Sequence, residues 1–106
     1  MATSSSTNPM SITGVTINSD TKLTDDFVLI QLVVWYGVTT AGHLAMVKDK
    51  AGNVLFPFSA DAPGSAGKMM YAYHFPTVPH PCNGIHVDDL DSGNLYFYYT
   101  DKISES

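Results

Sequence analysis

The chain has no arginine: five lysines stand against ten acidic residues, for a formal charge of −5 over 106 residues. Surfaces that track phosphates need dense Lys and Arg to displace counterions, so this balance predicts no nucleic-acid partner. Cysteine is almost absent too. Cys82 stands alone and cannot form an internal disulfide, which leaves burial to hold the fold together. No long apolar run occurs; the best, Phe27 to Tyr36, is broken by Gln31 and is about half of what a membrane-spanning helix requires. The first nine residues lack the basic start and apolar stretch of a secretory signal. Together these absences predict a soluble protein with neither a membrane nor a nucleic-acid partner.

What is present is a pattern of short strands. Apolar residues make up 44% of the chain, enough for one core at this length and too much for a disordered protein. Residues 1–9 are Ser, Thr, Asn and Pro with little to bury, the composition of a flexible N-terminal arm that orders against a partner. Met10 to Asn18 alternates, with Thr13, Val15 and Ile17 on one side and Ile12, Gly14 and Thr16 on the other. Asp25 and Asp26 could cap a helix, but Phe27 to Tyr36 is rich in β-branched and aromatic residues and predicts a central strand, apolar on both faces.

Leu44 to Lys48 and Val54 to Ser59 flank a polar loop in which Gly52 suits a positive φ, and Pro57 places the second of these strands at an edge or ends it. Ala60 to Gly67 is a small-residue surface loop, and Met69 to Phe75 resumes the strand pattern. Pro76, Pro79 and Pro81 predict an extended crossing, followed by a short strand from Ile85 to Asp88. The last strand, Leu95 to Tyr99, sets Leu95, Phe97 and Tyr99 on one face and Tyr96 and Tyr98 on the other. The prediction is an all-β domain over 10–101, a small antiparallel β-sandwich or jelly-roll-like barrel of about seven short strands, with a C-terminal tail at 102–106.

Few residues carry recognisable chemistry. His74, His80, Cys82 and His86 are the right types for tetrahedral zinc, but their spacing matches no zinc pattern, and isolated loop histidines with a small buried thiol are the expectation. A nucleophilic Cys82 would need a helix N-terminus or a paired imidazole, and no helix starts there. His43 with Asp49, or Ser59 with Asp61, lacks the turn and oxyanion-hole signature of a hydrolase. Asp88, Asp89, Asp91 and Asn94 gather oxygen ligands in one turn without the alternation of a calcium loop. Neither an enzyme nor a cofactor is predicted. Trp35, Tyr36, Tyr71, Tyr73, Tyr96, Tyr98 and Tyr99 could stack on sugars or line a protein interface, which puts binding ahead of catalysis.

Trp35 to His43, the hairpin from Lys48 to Asn53, and the ending from Asn83 through Val87 and Asp91 to Tyr99 resemble small virion proteins of tailed bacteriophages. The resemblance spans about residues 30 to 100. It implies a structural protein, foremost a capsid decoration or cement protein on the outer surface of the head, with a carbohydrate-binding tail component or adhesin as the alternative. It also implies the major capsid protein or another virion protein as partner, a homo-oligomer such as a trimer, and assembly in the host cytoplasm. The contact residues this suggests are Ser4, Asn8, Pro9 and Met10 of the arm, with Trp35, Tyr36, Tyr96 and Tyr98 at the aromatic edges.

Overall fold

The computed structural model describes residues 3–4, 7–38, 42–60 and 70–103, and these are all β and turn. Eight strands form one connected antiparallel sheet: β1 (Thr3–Ser4), β2 (Met10–Ile12), β3 (Thr21–Tyr36), β4 (Leu44–Lys48), β5 (Val54–Ser59), β6 (Met70–His74), β7 (His80–Leu90) and β8 (Asn94–Ile103). Seven follow the order β1-β2-β8-β3-β7-β4-β5, while β6 pairs with β3 off this path, and the sheet does not close into a barrel.

The sixteen-residue β3 organises everything else. One of its edges pairs with β8 from Phe27 to Tyr36, and the other pairs with β7 from Thr21 to Ile30 and then with β6 from Leu32 to Tyr36. Register shifts interrupt the ladders near Lys22, Thr24 and Ile30, and such bulges bend a strand enough for its two halves to serve different parts of a curled sheet. Strands β4 and β5 turn over the inner face. There Phe56 and Phe58 meet Tyr73, and Phe58 and Tyr71 meet Trp35, in a run of tilted and edge-on ring contacts with centroids 5.0–5.7 Å apart. The seam between the open edges of β5 and β6 is spanned by a side chain, Tyr73 Oη donating to the Pro57 carbonyl. Pro57 lies on the edge strand, as the sequence predicts.

Strands β6 and β7 run in tandem along the same edge of β3. His74 opposes Leu32, Phe75 N donates to Gln31 O at 2.8 Å, and His80 opposes Ile30. Residues 76–79 therefore leave the sheet and return opposite a single β3 residue. Phe75 stacks on His80 at the base of this excursion, with Phe56 against the His80 ring.

Several expectations change. The first alternating segment is a strand only from Met10 to Ile12, and Ile17 reaches the sheet through an isolated bridge to Leu90. Thr24, Asp25 and Asp26 lie inside β3 rather than before it. β7 begins at His80, not Ile85, because Pro81 lies where β7 pairs with β3 alone and a missing N–H leaves no second ladder incomplete. β8 runs on to Ile103, past the predicted boundary at 101. Segment 1–9 contributes a two-residue strand, Thr3 opposing Ile12 and Ser4 opposing Ser11.

Six of the described glycines sit at positive φ, and two of them bear on the turns that frame the sheet. Gly52 has a φ of 92° in the loop after β4, where the Asp49 carboxylate accepts from Ala51 N and Asn53 N. Gly93 has a φ of 79° in the turn before β8. A Cβ there would stand 2.8 Å from Tyr36 O and 3.0 Å from Trp35 Nε1.

Candidate functional site

Alternation, its phase reset by the register shift between Ile30 and Leu32, decides what β3 shows to solvent. Val28, Ile30, Val33 and Trp35 are buried; Phe27, Leu29, Leu32, Val34 and Tyr36 point the other way. The β3 segment read as apolar on both faces thus buries one face and leaves the other partly open. Registers then assign the neighbours on that outer face: Asn83 and Ile103 beside Phe27, Pro81 and Asp101 beside Leu29, His74 and Tyr98 beside Leu32, Ala72 and Tyr96 beside Val34. Ser11 extends the Tyr96 row, and Ser4 opposes Ser11 in turn.

This face is apolar and almost uncharged. Four of the seven exposed large apolar side chains among the described residues lie on it: Phe27 (36% exposed), Tyr36 (44%), Tyr98 (38%) and Ile103 (55%). Asp101 is the one acidic or basic side chain in these rows apart from the His74 imidazole. Three stretches without Asp, Glu, Lys or Arg build it, 27–47, 69–87 and 92–100. The charges gather at the other end of β3, where Lys22 pairs with Asp25, Lys48 with Asp88 and Lys102 with Asp26. Ten residues of β3 across three strands give a footprint of about 30 Å by about 14 Å, on the order of 400 Å². Patches of this size on soluble proteins are commonly functional.

Of the contact residues drawn from the sequence, Tyr36, Tyr96 and Tyr98 meet on this face. Trp35 and Met10 do not. Both are 0% exposed, because alternation turns Trp35 away from Tyr36 and register sets Met10 opposite the buried Phe97. Trp35 donates its Nε1–H to Ser92 O at 2.7 Å and is a core residue. Asn8 is exposed and bonds the Tyr99 backbone twice, donating Nδ2–H to its carbonyl and accepting its N–H. Pro9 is half-buried and its carbonyl accepts from Thr7 Oγ1, while the Ser4 side chain lies outside the described residues. Sequence reasoning missed Phe27, Leu32, Val34 and Ile103; the three charge-free stretches were the signal that could have found them.

The chemical clusters disperse. His74 is exposed on the outer face, whereas His80 stacks on Phe75 and meets Phe56 edge-on. Cys82 is buried, and burial pushes its thiol pKa up to about 12, the opposite of an activated nucleophile. His86 is gripped by two carboxylates, Asp25 at 2.7 Å on Nε2 and Asp20 at 3.2 Å on Nδ1. Burial alone would lower the His86 pKa, but the hydrogen bonds to Asp25 and Asp20 outweigh it and raise the value, while the His86 bond lowers that of Asp25.

His43 Nδ1 lies 2.7 Å from Ser92 Oγ, and Asp49 serves its own loop; Asp61 lies outside the described residues, as do the rest of the predicted surface loop to Gly67, Met69 at the start of the predicted strand, and Thr39 to Ala41. In the acidic turn, Asp88 pairs with Lys48, Asp91 accepts from Leu44 N and Asn94 accepts from Gly14 N, so the oxygens brace neighbouring strands. Burial and the adjacent Asp91 raise the Asp89 carboxyl. Among the described residues, no group of three or more His, Cys, Asp or Glu is arranged to hold a metal.

No protein-family model matches the chain, and neither the curated proteins nor the solved structures contain a significant match to it.

Proposed function

We propose that this chain is a non-enzymatic structural protein of a bacteriophage virion, a capsid decoration or cement protein that acts by packing its outer sheet face against another protein surface. The observation that carries the docking role is the footprint itself, a broad face of Phe27, Leu32, Val34, Tyr36, Tyr98 and Ile103 on which Asp101 is the one carboxylate and the ion pairs lie at the far end of the strand. The virion assignment rests on the sequence resemblance.

Burying about 400 Å² at about 25 cal/mol per Å² supplies on the order of 10 kcal/mol, close to the ~4–15 kcal/mol that association costs in lost freedom. One such contact is weak by itself. A shell that presents many copies turns weak contacts into durable attachment, because each additional contact forms at high effective concentration. That is how a small protein can stabilise a large assembly by mass action.

Electron microscopy of purified particles tests this directly. Density for the chain on the outer surface of the head is the expected result, and its absence from the particle sinks the proposal. The exposure of Tyr36 and Tyr98 on one face favours one second reading, a sugar-stacking adhesin. Glycan-array binding lost on Tyr36→Ala and Tyr98→Ala would replace the first reading with that one.

A further inference from the structure

The turns at one end of the sheet enclose a cleft that is separate from the apolar footprint. We propose that this cleft binds a neutral saccharide, a single sugar ring or the end of a chain, held through Asn94, Thr16 and Asp91. The proposal does not rest on the virion reading. The cleft has a volume of about 320 Å³, at the lower end of the ~300–1,000 Å³ usual for small-molecule sites. Gly14, Val15 and Thr16 after β2, Gly37 after β3, and residues 91–94 at the turn from β7 to β8 line it. Val15 is the one apolar side chain in this wall, and three glycines leave the backbone bare for close approach by a ligand.

The polar groups are set before any ligand arrives. Asn94 Oδ1 accepts from Gly14 N at 3.1 Å, which fixes the amide and leaves Nδ2, on the side of Gly37, as a donor without a partner among the described residues. The Thr16 hydroxyl is exposed and has no partner among them either. Asp91 Oδ2 accepts from Leu44 N at 2.8 Å, and a carboxylate has lone pairs for further bonds. Ser92 is anchored at two points, its Oγ 2.7 Å from His43 Nδ1 and its carbonyl accepting from Trp35 Nε1. Groups held in this way lose little freedom when a ligand binds.

Their chemistry selects the ligand. The Asp91 carboxylate and the chain's charge of −5 repel anions, and the Asn94 donor opposes a bare cation. An apolar molecule would cover the Asn94 amide and the Asp91 carboxylate without offering either a partner, which is costly. A neutral polyhydroxylated ring satisfies both, because each hydroxyl donates to a carboxylate and accepts from an amide.

Heteronuclear NMR of the full chain titrated with glucose, galactose, mannose and N-acetylglucosamine tests the proposal. Trp35 is the single tryptophan, so its one indole N–H resonance reports on the Ser92 wall. A saturable, millimolar shift of that resonance with at least one neutral sugar is expected, and none with glucuronate. Asn94→Asp keeps the oxygen that braces Gly14 and removes the donor, while Thr16→Val removes the exposed hydroxyl. Each should weaken binding by about tenfold, the worth of one well-placed hydrogen bond, with the rest of the spectrum showing the fold intact.

No saturable shift with any of these sugars, glucuronate binding as well as glucose, or binding indifferent to both variants overturns the proposal. Tyr98→Ala separates the cleft from sugar stacking on the sheet face: binding should be retained, and its loss overturns the cleft as the site. None of these outcomes depends on finding the chain in a particle, so failure here and failure of the functional proposal are separately visible.

Discussion

Replacing Gly93 with alanine probes the closest backbone approach described above. The residue sits at a φ of 79°, where an L side chain costs about 1 kcal/mol or somewhat more. The new Cβ would also lie 2.8 Å from the Tyr36 carbonyl and 3.0 Å from Trp35 Nε1, so the turn must shift. The shift strains the indole hydrogen bond to Ser92 O, and losing a partly buried bond of this kind costs roughly 1–3 kcal/mol. The sum is about 3 kcal/mol, a large share of the 5–15 kcal/mol typical of a domain. With a urea m-value of about 1.5 kcal/mol/M, the midpoint should fall by about 2 M.

Trp35 is the single tryptophan and fully buried, so its fluorescence reports unfolding without a label. Gly52→Ala is the control. It has a similar φ of 92° with nothing within 4 Å of the added Cβ, so it should cost only the conformational part, about 1 kcal/mol. If Gly93→Ala costs no more than Gly52→Ala, the argument from close approach is refuted. A cycle with Trp35→Phe, followed by circular dichroism, should show the Gly93→Ala penalty shrinking once the indole N–H is gone.

The clasp of His86 by Asp20 and Asp25 makes stability depend on pH. Because the folded His86 pKa is raised, its contribution is complete below the ordinary value of about 6.5 and is lost as pH rises through the folded value. Asp25, whose pKa is lowered, contributes above its ordinary value near 4 and loses that as pH falls through the folded one. The Tm difference between the natural chain and His86→Gln should therefore be widest between these limits, and a difference constant from about pH 3 to pH 9 would count against the clasp. Cys82 should resist Ellman's reagent in the native protein and react only on unfolding; rapid native labelling would contradict its burial and raised pKa. Tyr73→Phe should cost about 1 kcal/mol in urea unfolding by releasing the Pro57 carbonyl across the seam, and a neutral result would mean the seam needs no bridge.

Much of the strand pattern was legible because period-two alternation is a local property. Leu95, Phe97 and Tyr99 face inward and Tyr96 and Tyr98 outward, as alternation alone requires. The start of β3 was hidden because Thr24, Asp25 and Asp26 look like a helix cap until β7 and β8 supply His86 and Lys102 as partners. Half of β7 was hidden by Pro81, since whether a proline fits a strand depends on which of its edges is paired. The site was legible in composition but not in membership. An aromatic residue names an interface type, whereas the face it occupies is fixed by register, and so Trp35 fell to the core and Tyr36 to the surface.

The excursion between β6 and β7 has a consequence for how this fold can change. Each of these strands is registered independently against β3, His74 on Leu32 and His80 on Ile30, so the connecting segment sets no alignment in the sheet. Its length is decoupled from the core. Val78, 72% exposed at its outer part, can be flanked by inserted residues while the Phe75 and His80 stack closes the base beneath them. Variation in size and sequence can therefore accumulate at this point, or an epitope be grafted there, without a one-residue slip that would turn β7 inside out.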